Sequence, residues 1–73
     1  MPKLAPTDWK TQLRIFEADG FVVSRVTDRH IVMNKSGIPR PVIIPKYKEV
    51  GRDIILNNMR TAGMTRERYF KLL

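Results

Sequence analysis

The hydrophobic positions of this chain change from helical to extended spacing and back, and they predict six elements. We expect Thr7 to cap the first helix, in which Trp9, Leu13 and Phe16 recur at the i, i+4 and i+7 positions of one helical face. Gly20 is typical of the residue just beyond a helix end, because glycine adopts the left-handed conformation without steric cost. The sequence therefore predicts a helix that ends just before Gly20 and packs this aromatic stripe into a core.

Three segments rich in valine and isoleucine follow, and each is bounded by turn residues or prolines. The predicted strands cover residues 21–27, 31–33 and 42–44. A tight turn is expected at 28–29, and Gly37 belongs to a second turn signal that follows the second strand. Pro39 and Pro41 precede the third strand and Pro45 closes it. Because proline cannot donate to a ladder, the beginning of this strand is expected at a sheet edge.

The rest of the chain carries two helical patterns. A helix from residue 51 or 52 to Ala62 places Ile55, Met59 and Ala62 on one face, and Gly63 is its expected stop. Thr65 then caps a short last helix, whose apolar residues pack back onto the domain: Tyr69, Leu72 and Leu73. The predicted fold class is α+β, α-β-β-β-α with a three-stranded antiparallel sheet and a short C-terminal helix. This is the element order of double-stranded-RNA-binding domains, which recognise A-form shape, 2′-hydroxyls and phosphates.

Length and composition limit the class of protein. Seventy-three residues predict one domain, 1–73, and 42% hydrophobic with 29% charged residues is typical of a globular chain. There is no cysteine, which excludes disulfides, thiolate chemistry and cysteine-based zinc sites. No apolar run approaches the length of a membrane span, and the N-terminus has no apolar signal core, so the expected location is the cytoplasm, without a membrane partner.

Positive charge is unevenly distributed along the chain. The net charge is +7, and residues 1–20 contribute none of it, because they carry three basic and three acidic side chains. Residues 21–50 contribute +4 and residues 51–73 contribute +3. A basic excess of this kind favours a nucleic acid or an acidic protein as the partner.

The only histidine, His30, is the candidate for chemistry. Its unperturbed pKa of about 6.5 allows it to give or take a proton at neutral pH. RNA cleavage needs a proton removed from the attacking 2′-hydroxyl and a proton given to the leaving 5′-oxygen. Nearby cations would stabilise the charge on the phosphoryl oxygens, and Arg25, Arg29, Lys46 and Lys48 are the candidates in this meander.

Other kinds of site find less support in the residues. One histidine, no cysteine and seven scattered acids give no ligand set with metal spacing, so no metal and no small-molecule cofactor is expected. Neither a nucleotide-binding glycine motif nor a nucleophile elbow is present. Lys46-Tyr47-Lys48 is an aromatic residue between two cations, and Tyr47 has two interpretations. It either stacks on a base while the lysines bind phosphates, or packs on the following helix with the lysines in solvent.

Taken together, these segments resemble the HicA toxin family, also called YcfA-like. The resemblance is carried by Gly20-Phe21 after a helix, then a strand, then His30 followed by an apolar run. It continues through the turn at Gly37, the Val-Ile-Ile-Pro of residues 42–45, and a helix that closes in the Arg-Thr-Ala-Gly-Met-Thr of residues 60–65. The similarity extends over nearly the whole chain, from Trp9 onwards.

The resemblance implies a double-stranded-RNA-binding-like fold and a ribosome-independent mRNA interferase, held inactive by a HicB-type antitoxin. His30 matches the family's catalytic histidine. Asp28-Arg29 stand where the family usually has Gly-Ser, and Tyr47 stands where many members carry a second histidine. We therefore expect a metal-independent endoribonuclease with catalytic His30 and RNA contacts from Arg25, Arg29, Lys46, Tyr47 and Lys48. The alternatives are a non-catalytic binder of structured RNA and an interaction domain that docks an acidic protein.

Overall fold

The elements of the computed structural model, which describes residues 3–73, follow the predicted order. The helices are α1 (Trp9–Ala18), α2 (Arg52–Ala62) and α3 (Arg66–Leu72). The strands are β1 (Val22–Val26), β2 (His30–Asn34) and β3 (Val42–Pro45), which form an antiparallel meander in the order β1-β2-β3. The α+β, double-stranded-RNA-binding-like prediction is confirmed, and β3 is an edge strand as its prolines indicated. Within residues 3–73, no helix has both the length and the apolar character of a membrane span.

The sheet has a buried face and an exposed face, which the alternation along β2 defines. Ile31 and Met33 are buried, whereas His30 and Asn34 are exposed. On β3, Val42 and Ile44 pair with the buried positions of β2, and His30 lies opposite Pro45. His30 therefore stands at one end of the central strand, on the side of the sheet that the helices leave open.

The core lies between the buried face of the sheet and the two longer helices. Both α1 and α2 contact β3. Phe16 of α1 packs edge-to-face on Phe21, with ring centroids 5.7 Å apart. The buried apolar residues are Leu4, Ile15, Phe16, Phe21, Ile31, Met33, Val42, Ile44, Val50, Ile55, Met59, Ala62, Met64 and Tyr69. These residues form one cluster with members from every element except β1, and the half-buried Val23 of β1 packs against it, so the described chain folds around a single core.

The start of α1 differs from the prediction. Asp8, not Thr7, is the N-cap residue, and neither side chain caps a backbone N–H. Thr7 instead forms a two-way backbone pair with Val50, which holds it in an extended conformation outside the helix. The buried face of α1 also differs from the predicted one. Phe16 is buried as expected, but Trp9 and Leu13 lie at the margin of the core, and the other buried positions of the helix are Gln12 and Ile15.

The second half of the chain agrees closely with the prediction. Gly63 ends α2 with φ +66°, and the Thr65 side chain accepts a hydrogen bond from the Arg68 N–H, 3.1 Å away. Tyr69 is buried, and Leu72 is half-buried against the core. The prediction for Leu73 is wrong, because this residue lies beyond the end of α3 and is 50% exposed.

Candidate functional site

A tight turn places His30 at the start of β2. The Thr27 hydroxyl accepts hydrogen bonds from the N–H groups of His30 at 3.0 Å and Arg29 at 3.4 Å. The Thr27 N–H in turn donates to the His30 carbonyl at 2.9 Å. A threonine hydroxyl that accepts hydrogen bonds from the N–H groups two and three residues later closes the turn with its side chain. The hydrogen bonds that hold His30 are thus made by its backbone, and its imidazole is exposed to solvent.

The end of β3 supplies the second side of the site. Lys46 follows Pro45, the residue opposite His30, and its N–H donates to the Arg29 carbonyl at 2.8 Å. Tyr47 comes next and is 53% exposed. A surface pocket of about 370 Å³ lies between the two segments, and it is lined by Asp28, Arg29, His30, Lys46 and Tyr47. The structure therefore brings together four of the six predicted site residues, and adds Asp28.

Arg25 and Lys48 lie beside this pocket and do not line it. Arg25 is opposite Val32 on the neighbouring strand, because a bulge at Ser24 shifts the register between Val23 and Arg25. Since side chains two residues apart share a face, Arg25 is on the same open face as His30. Lys48 is exposed in the bend after Tyr47. Both positions would extend a cationic surface outward from the pocket.

The two cations of the pocket are free of carboxylate partners within the described part of the chain. The ion pairs found among residues 3–73 both involve Asp19, which binds Lys35 at 3.6 Å and Arg68 at 3.0 Å. The Lys46 ammonium is instead 5.9 Å from the centroid of the Trp9 ring. The side-chain donors of Arg29 and Lys46 are therefore not engaged by carboxylates in this part of the chain. The Asp28 carboxylate is the one opposing charge in the lining.

The sequence did not predict the residues that hold the loop of the pocket in place without lining the pocket. The Trp9 N–H donates to the Tyr47 carbonyl at 3.2 Å, and Thr7 pairs with Val50. Residues 7–9, where the chain enters α1, thus hold the loop 46–50 that forms one side of the pocket. The role of Thr27 could have been predicted from the sequence, because a threonine just ahead of a tight turn often bonds to the backbone of that turn. The pairing of Thr7 has none, because its partner is more than forty residues away.

Within residues 3–73, no group of three or more histidine, aspartate and glutamate side chains is placed to hold a metal ion. The arrangement offers one imidazole, two cations, one carboxylate and one phenol around a pocket open to solvent. Such a set can bind an anionic group and transfer protons.

A protein-family model described as "HicA toxin of bacterial toxin-antitoxin" matches residues 9–64. The match includes the complete sheet and every residue that lines the pocket. The chain therefore belongs to the HicA toxin family, whose members are toxins of bacterial toxin–antitoxin systems, and an antitoxin partner is implied. Comparisons with curated proteins and with solved structures give no match.

Proposed function

We propose that this toxin is an endoribonuclease that cleaves mRNA, with His30 as a proton-transfer group. The observation that supports this proposal is the setting of the single histidine. Its exposed imidazole shares one pocket with Arg29 and Lys46, and neither cation has a carboxylate within 4.0 Å among residues 3–73. A titratable group beside unpaired cations is a combination that can cleave a phosphodiester by acid–base catalysis.

The proposed reaction is attack by the RNA's own 2′-hydroxyl. A bond forms between the 2′-oxygen and phosphorus, and the bond from phosphorus to the 5′-oxygen breaks. His30 either removes the proton of the 2′-hydroxyl as a base or supplies the proton to the leaving 5′-oxygen as an acid, and water in the open pocket accepts or supplies the other proton. Arg29 and Lys46 stabilise the negative charge on the phosphoryl oxygens. The products carry a 2′,3′-cyclic phosphate and a 5′-hydroxyl, and no metal or cofactor takes part.

The side chains around the pocket are suited to binding the neighbouring nucleotides. Tyr47 is half-exposed at the pocket, so its ring is available to stack on a base. Arg25, on the open face of the sheet, and Lys48, in the bend after Tyr47, would bind the flanking phosphates. A HicB-type antitoxin would neutralise the toxin by covering this cationic surface, for which an acidic partner has the complementary charge.

The test is incubation of the purified protein with a long mRNA in EDTA, beside the variant His30→Ala. We expect cleavage by the native protein and a loss of at least about a hundredfold in the variant, since proton transfer contributes about 10²–10⁴. Asn34→Ala is the matched control, because Asn34 is exposed at the other end of β2 on the same face. It should cleave RNA at the native rate, and circular dichroism should show all three proteins folded.

Other outcomes identify the alternatives. Undiminished cleavage by His30→Ala would contradict the assignment of His30. Intact RNA that is nevertheless bound tightly, with strong salt dependence, would indicate a non-catalytic binder of structured RNA. If the protein neither cleaves nor binds RNA, the remaining interpretation is that the basic surface docks an acidic protein.

A further inference from the structure

One buried polar side chain, Gln12, joins parts of the chain that are far apart in sequence. Gln12 lies in α1 and is fully buried. Its Nε2 donates to the Thr7 hydroxyl at 2.7 Å and to the Tyr69 hydroxyl at 2.9 Å. Burial raises the pKa of the Tyr69 phenol, and the hydrogen bonds with Gln12 and Thr7 oppose that rise. The three side chains therefore form one hydrogen-bonded cluster between the N-terminal segment, α1 and α3.

The cluster connects to the pocket through the backbone of residues 7–9. The Thr7 N–H donates to the Val50 carbonyl at 3.3 Å, and the Val50 N–H donates back at 2.6 Å. Two residues on, the Trp9 N–H donates to the Tyr47 carbonyl at 3.2 Å. These three bonds hold both ends of the loop 46–50, and the first two residues of that loop, Lys46 and Tyr47, line the pocket.

The hydrogen bonds of Gln12 satisfy only part of its amide. Its Oε1 is buried and has no hydrogen-bond partner among residues 3–73. This unpaired acceptor costs free energy that offsets part of what the two bonds of Nε2 contribute, whereas an apolar side chain here would leave the Thr7 and Tyr69 hydroxyls without their donor. What the amide adds is a fixed location for the Thr7 hydroxyl, and hence for the segment that holds the loop.

We infer that Gln12 is a positioning residue for RNA binding, because it holds Thr7 and thereby fixes Lys46 and Tyr47 relative to His30. The inference rests on the proposed function of the pocket. Thr7 and Tyr69 both lie outside residues 9–64, the range of the family match. Two of the three members of the cluster therefore lie outside the matched range, and Gln12 lies within it.

The test compares Gln12→Met with Asn58→Leu. Met has the length of Gln without its polar atoms, so the first variant removes both hydrogen bonds of Nε2. Asn58 is the other buried polar side chain described, and its Nδ2 donates to the Ile43 carbonyl at 3.0 Å, on β3 rather than at the loop. Both variants lose a buried hydrogen-bonding side chain, but only the first affects the segment that holds the loop.

Two quantities are measured. Amide hydrogen exchange at Trp9 and Val50 should become about tenfold faster in Gln12→Met, relative to the amides of β2, and should not change in Asn58→Leu. In RNA cleavage, Gln12→Met should raise KM about three- to tenfold, because Lys46 and Tyr47 contact the bound RNA, and should lower kcat by a smaller factor, because Lys46 also stabilises the charge on the phosphoryl oxygens. A purely structural role would lower the melting temperature of both variants and leave KM alone.

A third variant tests the inference even if Gln12→Met does not fold. Thr7 is half-buried, and Thr7→Val removes its hydroxyl while keeping the branched shape, so the core is untouched. It should reproduce the faster exchange at Val50 and the higher KM. Native exchange rates and native KM in Thr7→Val, or equal changes in Asn58→Leu, would overturn the inference. Failure of the proposed function is a separate result, since absence of cleavage by the native protein leaves the exchange measurement fully interpretable.

Discussion

Asp28 is the residue of the pocket whose charge opposes the proposed substrate. It lies in the exposed turn beside Arg29 and lines the same pocket as His30. Two unit charges about 4 Å apart interact by about 1 kcal/mol in water, which is close to a fivefold effect on an equilibrium. If the pocket binds a phosphate as proposed, we expect Asp28 to weaken that binding without preventing it.

Replacing Asp28 with Asn should tighten RNA binding by about three- to tenfold, because it removes this repulsion and keeps the size of the side chain. The measurement is the Kd for a short 2′-O-methyl RNA, which lacks the attacking hydroxyl and so is not cleaved. Glu17→Gln is the control, because it makes the same change in net charge at an exposed position of α1. Equal tightening in both variants would show a general effect of net charge and contradict a local role for Asp28.

The pocket could be predicted in part because its residues are local. His30 and Arg29 are adjacent in sequence, and Lys46 and Tyr47 follow the strand that pairs with His30. Any three-stranded meander with short turns brings these segments together. Gln12 could not be predicted, because a glutamine in an amphipathic helix is expected on its polar face, and its partner Tyr69 lies 57 residues away. No local pattern encodes a side-chain contact of that separation.

At the scale of elements, the ends of α1 and α2 were predicted more accurately than the start of α1. The N–H of Phe21 donates to the Phe16 carbonyl at 2.9 Å, and that of Met64 to the Met59 carbonyl at 2.8 Å. In both cases the donor lies five residues after the acceptor. This is the hydrogen bond of a helix end closed by glycine, in which a left-handed glycine precedes a buried apolar residue. Glycine is a strong local signal for such a stop. The start of α1 was predicted one residue early, because the extended pairing of Thr7 with Val50 has no local signal.

The cap of α3 is the element-scale feature with the clearest energetic consequence. Thr65 accepts a hydrogen bond from the Arg68 N–H, so Thr65→Ala should lower the free energy of unfolding by about 1 kcal/mol. The measurement is a urea titration. Thr61→Ala is the matched control, because the Thr61 hydroxyl bonds back to the Asn57 carbonyl within α2, where alanine is the better helix former. An equal loss of stability in both variants would contradict the capping role.

At the scale of the whole molecule, α1 and α2 cover one face of the sheet. The other face is open, and the pocket lies at one end of it. The sequence predicted the order of elements, because each has a clear hydrophobic period or a turn residue. It did not predict which face of β2 carries His30, because residues 31–33 are all apolar and fit either orientation. The buried side of the sheet is decided by packing against α1 and α2, a tertiary effect that alternation alone does not encode.

The positive charge of the molecule is spread over both ends of the sheet, and salt dependence can show which end binds RNA. Arg29 lines the pocket beside His30, whereas Arg40 precedes β3 at the opposite end, where it lines a separate surface pocket with Arg60. Both arginines are exposed, so Arg29→Gln and Arg40→Gln remove the same charge without disturbing the core.

Each phosphate neutralised on a single strand contributes about −0.7 to the slope of log K against log salt concentration. If Arg25, Arg29, Lys46 and Lys48 all bind phosphates, the native protein should show a slope near −3 with a short 2′-O-methyl RNA. Arg29→Gln should reduce its magnitude by about 0.7, and Arg40→Gln should leave it unchanged. The measurement is fluorescence anisotropy over a series of salt concentrations. A reduced slope in Arg40→Gln with a native slope in Arg29→Gln would move the RNA to the other end of the sheet, away from His30, and so would contradict the proposed site.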